Sequence, residues 1–267
     1  MMPDVTRLDT LRARRPLIHC ISNLVTANDC ANLLLAAGAS PIMAQALPEA
    51  EEITAASAAS VLNTGTPDDE KFRLCLACGR AASALGHPTV LDPVGIGASR
   101  WRLQSIQGML HLFTPSILRV NLGEARALLQ LEGGEQGVDT PAGAPEEARL
   151  QAAAALARQR RTLVLLSGPE DVIASGDHLW RVRGGSDLMP FVTGTGCMLS
   201  VLCGAFAAVA EPEEAAVLAS AFWKCCSARA QAQAGGRGPG SFRAALMDAA
   251  YTLTARDLLQ ADITALS

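Results

Sequence analysis

Short runs of β-favouring residues alternate with longer helix-favouring stretches along this chain, and that alternation constrains its fold more than any other feature. Candidate strands are residues 17–21, 40–43, 60–63, 89–92, 117–121 and 162–167. Helical stretches lie between them, at 26–36, 48–56, 68–85, 100–110, 123–131 and 145–160. Strand–helix alternation at these lengths is the signature of right-handed βαβ units, which set a mostly parallel sheet between layers of helices. Two weaker strands, 172–174 and 178–182, are joined by Ser175-Gly176-Asp177 and read as a hairpin. The last third reads as helical, at 194–208, 212–234 and 241–259. Loop signals at 133–144 and 235–240 lack the character of linkers, and no internal repeat is evident. An α/β fold in a single domain over 1–267 is expected.

Composition narrows the function classes. Hydrophobic residues make up 49% and charged residues 18%, which excludes a disordered chain. The net charge of −4 supplies no basic field for nucleic acid. The longest uncharged runs, 30–48 and 192–210, are broken by Asn, Gln, Ser, Thr, Pro and Gly, so no membrane span is expected. Arg12, Arg14 and Arg15 precede an apolar run, but His19, Ser22 and Asn23 interrupt it, which makes a poor signal peptide. The eight cysteines lie in apolar runs and read as small buried hydrophobes. Cys75 and Cys78 have CxxC spacing, but the helical stretch around them is apolar and no second CxxC exists. A reduced, cytoplasmic protein is the expectation.

In open parallel sheets ligands collect beyond the carboxyl ends of the strands. Here those ends carry Asn23, Asp92, Asn121 with Glu124, and Ser167-Gly168, each beside Gly, Pro or Asn. Helix caps and turns account for some of these. Thr193-Gly194-Thr195-Gly196 forms a glycine-rich turn directly before an apolar helix. Such a turn aims backbone N–H groups and the positive end of a helix at one spot, which suits a phosphate. It is neither a Walker A loop nor GxGxxG. Cys197 occupies the first turn of that helix, where a thiol is expected to be acidified. Asp92, in LDPVGIGA, and Glu124 are carboxylates suited to Mg²⁺ that is held mostly by phosphates and water. Arg119 lies in a strand that reads as buried, so it needs a partner: a nucleotide phosphate, or an internal pair with Asp92 or Glu124. His19, His87, His111 and His178 are scattered without metal spacing and read as structural or exposed.

Several segments together resemble the hydroxyethylthiazole kinase family of the ribokinase-like superfamily. They are HCISNLVTANDCANLLLAAGASPIMA (19–44), LNTGT (62–66), HPTVLDPVGIGAS (87–99), RVNLGEA (119–125), GVD (137–139), VTGTGC (192–197) and GPGSF (238–242). The resemblance implies a three-layer α/β fold and a homotrimer with active sites between subunits. It implies ATP- and Mg²⁺-dependent phosphorylation of the hydroxyl of 4-methyl-5-(2-hydroxyethyl)thiazole, in thiamine biosynthesis or salvage. It puts Met43 and Gly194 on the thiazole with Asn23 nearby, Arg119 and Ser167 on ATP, and Asp92 and Glu124 at the Mg²⁺. Cys197 falls where related sugar and vitamin kinases carry an aspartate base. The chain departs from the family at Val120, usually Gly, at Gly123, usually Ser or Ala, and at Ser167, commonly Thr. Two other classes stay open: a transferase or hydrolase with Cys197 as nucleophile, and a nucleotide-binding regulator. Among kinases, the nearest rival acts on pyridoxine or hydroxymethylpyrimidine.

Overall fold

Each expected strand is present in the computed structural model, with ends within one residue of those expected. The structure describes residues 2–130 and 146–266; the loop signal at 133–144 and the GVD segment at 137–139 lie outside the described residues. The elements run α1 (Arg7–Arg14), β1 (Leu17–Ile21), α2 (Ala27–Ala37), β2 (Ser40–Ile42), α3 (Ala50–Ala56), β3 (Ala59–Asn63), α4 (Asp69–Leu85), β4 (Thr89–Asp92), α5 (Arg100–Leu112), β5 (Ile117–Asn121) and α6 (Leu122–Gln130). After the undescribed stretch come α7 (Glu146–Arg160), β6 (Leu163–Ser167), β7 (Asp171–Ser175), β8 (His178–Arg183), α8 (Thr195–Ala207), α9 (Pro212–Ala234), α10 (Pro239–Thr252), α11 (Ala255–Leu258) and β9 (Asp262–Leu266).

The strands form one sheet in the order β2-β1-β3-β4-β5-β6-β7-β8-β9. Pairing is parallel from β2 through β6 and antiparallel beyond. The central strands are buried on both faces, which is why apolar residues occupy successive positions within them. Successive residues serve opposite layers. Val61, Val90, Ile117 and Leu165 pack with α1, α2, α8, α9 and α10. Leu62, Leu91, Leu118 and Leu166 pack with α4, α5, α6 and α7. The result is the three-layer arrangement expected. Helix α8 is buried from Cys197 to Ala207, because the sheet lies on one side of it and α2 and α9 on others. The outer strand β2 has three residues, the middle one Pro41.

Three features differ from expectation. Helix α1 and strand β9 are additional. The stretch 241–259, expected as one helix, is two: Leu253 is extended, and Thr254 starts α11 with a reciprocal capping box to Asp257. A threonine hydroxyl that satisfies a free N–H competes with helix continuation at that point. Strand β9 pairs antiparallel with β8, with Ile263 opposite Val182.

Candidate active site

Four adjacent parallel strands end in residues that touch one another. Asn63 ends β3, Asp92 ends β4, Arg119 lies two residues before the end of β5, and Ser167 ends β6. Asp92 is completely buried. Its Oδ2 accepts from Asn63 Nδ2 at 2.8 Å and from Ser200 Oγ at 2.7 Å, and its Oδ1 accepts from an Arg119 guanidinium nitrogen at 3.3 Å. The other terminal nitrogen of Arg119 donates to Ser167 Oγ. Of the three partners open to Arg119, Asp92 is therefore the direct ion pair. Burial works against the Arg119 charge, but Asp92 and Glu124 hold its pKa above the ordinary arginine value. Glu124 accepts from the backbone N–H of Gly95 at 2.9 Å and of Asn121 at 2.8 Å, tying the loop after β4 to the end of β5. Burial pushes the Glu124 carboxyl pKa up.

The glycine turn sits directly above. Gly194 has φ +81°, and a Cβ there would collide with Thr26 Cγ2. A Cβ on Gly196 would lie 2.5 Å from the Arg119 guanidinium. Glycine at these two positions is thus what lets α8 begin against α2 and Arg119. No side chain caps the N-terminus of α8, so its first N–H groups stay available to an anion. Gly194→Ala is expected to destabilise the protein by about 2 kcal/mol or more, since it combines left-handed strain with steric overlap. Urea denaturation checks this; an unchanged midpoint would mean the turn does not bear on Thr26.

Besides Asp92 and Glu124, which lie outside the cleft lining, the predicted site residues fall into two groups. Arg119 and Ser167 line a cleft of about 410 Å³, together with Gly168, Thr195, Gly196, Leu199 and Lys224. Lys224 Nζ donates to the carbonyls of Gly168 and Pro169 and lies 3.4 Å from Asp171. Asn23, Met43, Gly194 and Cys197 lie outside that lining. Asn23 and Gly194 meet through Thr26, whose N–H donates to the Asn23 carbonyl at 3.0 Å. Met43 packs on the core cluster that contains Cys197. Thr26 and Asn63 lie close enough to Cys197 to favour its thiolate. Its acidity departs from the expectation. Burial, with Asp92 nearby, raises the thiol pKa and outweighs the opposing influence of Thr26, Asn63 and Arg119.

Several residues of the site had no sequence signal singling them out. Asn63 was visible only within LNTGT, as a strand-end Asn. Ser200 bonds a partner 108 positions away. Lys71 is buried on α4 and donates to the carbonyls of Ser22 and Gly65, bracing the loops that follow β1 and β3. His19 is fully buried between Thr54 Oγ1 and the Ala44 carbonyl, and burial lowers its pKa. It is structural, as expected.

Comparison with known proteins places the chain in a family. The model of the hydroxyethylthiazole kinase family matches residues 8–256. A hydroxyethylthiazole kinase of Listeria monocytogenes is 40% identical over 249 residues, 93% of this chain and 92% of the relative. The solved structure of the hydroxyethylthiazole kinase protein from Pyrococcus horikoshii OT3 superposes with a TM-score of 0.89 at 36% identity, covering 98% of each chain. The pyridoxal kinase from Staphylococcus aureus shares the fold alone, with a TM-score of 0.61 at 15% identity over 80% of this chain and 88% of that one. By the span of these matches, this chain belongs to the hydroxyethylthiazole kinase family.

Proposed function

We propose that this chain transfers the terminal phosphoryl group of ATP to the hydroxyl of 4-methyl-5-(2-hydroxyethyl)thiazole, a step of thiamine salvage. One observation carries the reading: an uncapped helix N-terminus rests on a buried arginine that lines a cleft big enough for a nucleotide. Phosphoryl transfer is mostly positioning and charge stabilisation, and this arrangement supplies both. Arg119 and Ser167 bind the nucleotide from the cleft floor. The N–H groups of the TGTG turn receive the transferring phosphoryl. Met43, Gly194 and Asn23 hold the thiazole on the other side of that turn. Cys197, at the junction, takes the alcohol proton.

Mg²⁺ supplies charge neutralisation on the phosphate oxygens when bound. Among the described residues no group of three or more acidic, His or Cys side chains is placed to hold an ion. That fits an ion held mostly by phosphates and water; of the two carboxylates, Glu124 would take part directly, while Asp92, with Oδ2 filled by Asn63 and Ser200 and Oδ1 facing Arg119, would act through its charge. Each Glu124 oxygen has one N–H partner and so keeps a lone pair free.

The single sheet supports reading 1–267 as one domain. Eight free cysteines, and no described helix long and apolar enough to cross a membrane, support a cytoplasmic location. A homotrimer with sites between subunits is supported by exposed apolar residues next to the thiazole-side group: Leu24, Val25 and Phe191 are 64–71% exposed. Light scattering should find a trimer at micromolar concentration; a stable, active monomer would refute it. The decisive functional measurement is a coupled kinase assay over vitamin-precursor alcohols. The thiazole alcohol should be turned over with the highest kcat/KM. Preference for pyridoxine or hydroxymethylpyrimidine would replace the substrate, and ATP turnover without dependence on an alcohol would favour a regulator.

A further inference from the structure

A carboxylate facing a guanidinium in a buried site ordinarily takes two parallel N–H bonds, because fork meets fork. Asp92 and Arg119 do not pair in this way. One guanidinium nitrogen reaches Oδ1 alone. Oδ2 is already filled from two sides, by Asn63 Nδ2 and Ser200 Oγ. The Asn63 amide is itself fixed, since its Oδ1 accepts the Gly65 N–H at 2.9 Å. The Ser200 hydroxyl has one alternative acceptor, the Gly196 carbonyl at 3.2 Å, but Asp92 is nearer. Both donors are almost wholly enclosed. The single-point grip leaves the second terminal nitrogen of Arg119 for Ser167 and leaves its Nε without a partner among the described residues. Arg119 is thereby kept under Gly196 and on the cleft lining.

From this geometry we propose that Ser200 and Asn63 are positioning residues: by occupying Oδ2 of Asp92 they restrict Arg119 to one contact with it and keep the rest of the guanidinium turned to the nucleotide. The proposal rests on the reading of Arg119 as a nucleotide contact. It gives the second turn of α8 a part in ATP binding, although Ser200 does not line the cleft. When Oδ2 loses one of these donors, the second guanidinium nitrogen gains a charged acceptor in place of Ser167, and the head withdraws toward β4. ATP binding then suffers, while the thiazole side, reached through Thr26 and Asn23, does not.

The test measures ATP Kd by calorimetry without the alcohol, and KM for each substrate, in Ser200→Ala, Asn63→Ala, Arg119→Lys and the Ser200→Ala/Arg119→Lys double variant. Ser200→Ala should weaken ATP binding about 10-fold, the worth of one hydrogen bond to a charged group. The KM for the thiazole alcohol should change less than about twofold, and in the Arg119→Lys background the Ser200 substitution should add less than about twofold, because lysine has no fork to misdirect. Asn63→Ala should weaken ATP binding in the same direction. Equal losses for ATP and alcohol, or the same loss in both backgrounds, would reduce Ser200 to a structural residue and overturn the proposal. Wild-type ATP affinity in Arg119→Lys alone would instead remove the nucleotide reading of Arg119 on which the proposal stands.

Discussion

Asp92→Ala is expected to lower stability by about 3–5 kcal/mol and turnover by at least about 100-fold, the largest combined effect of any single substitution in this protein. The stability loss follows from what remains. Arg119 would keep its charge in a buried position with its direct carboxylate partner gone. Asn63 Nδ2 and Ser200 Oγ would both lose an acceptor. Removing one member of a buried pair leaves the desolvation of the other uncompensated, which is why truncation is so much worse than loss of an exposed bridge. The turnover loss follows because Arg119 is no longer held beneath Gly196. Asp92→Asn separates the two: its amide oxygen still accepts from Asn63 and Ser200, so stability should recover in part, while the Arg119 charge stays unpaired and activity stays low. Glu124→Ala provides the contrast. Its carboxylate serves two backbone N–H groups, so it should cost about 1–3 kcal/mol, lower turnover strongly and raise the Mg²⁺ needed for half-maximal rate. Urea denaturation with a coupled assay at varied Mg²⁺ reads all three. Wild-type stability in Asp92→Ala would show that the ion pair does not form.

Cys197→Ser should lower kcat about 100-fold, whereas Cys197→Asp should stay active. General-base assistance is typically worth about 10²–10⁴-fold, and phosphoryl transfer lies at the low end because its demands are mostly electrostatic. Serine has no accessible charged form. Aspartate does, and the donors of Thr26 and Asn63, the Arg119 charge and the helix N-terminus are all placed to hold it ionised against burial and Asp92. The two enzymes should differ in pH dependence. Because the wild-type thiol is raised above its usual range, its thiolate fraction, and with it kcat, should climb from neutral pH to beyond pH 9, near the ordinary thiol value. The aspartate variant should be flat over the same window. Steady-state turnover at saturating Mg-ATP from about pH 6 to pH 10 decides the matter. An aspartate variant that folds and binds ATP yet is inactive would point to a covalent thiol and revive the nucleophile reading.

These outcomes turn on how far local sequence reaches. Strands β1, β4, β5 and β6 are legible because buried parallel strands are short, mostly apolar runs bounded by Gly, Pro or polar residues. Strand β9 is not: Ile263 and Thr264 are its main β-favouring residues, and its pairing with β8 depends on where the long helices return the chain. The break before α11 escaped because Thr254 and Asp257 become a capping box only once Leu253 is extended. At the site, the glycine turn locates Cys197, but the helix N-terminus alone gives its acidity the wrong sign. A helix N-terminus is a local signal, whereas the burial that outweighs it comes from packing against distant segments. The Asp92–Arg119 pair was one of several open partners for Arg119. Ser200 carried no signal at all, since a serine in an apolar helix reads as filler until its partner is known.

Pro41 has a consequence beyond the site. A parallel sheet ending in an open strand offers another polypeptide a row of unpaired amides, the template from which ordered aggregates grow. Strand β2 is only three residues long, and its middle residue has no N–H to offer. Met43, which we propose meets the thiazole, follows it at once. This margin therefore carries a block against intermolecular ladder formation: neighbours can associate there through side chains, but not by extending the sheet past β2.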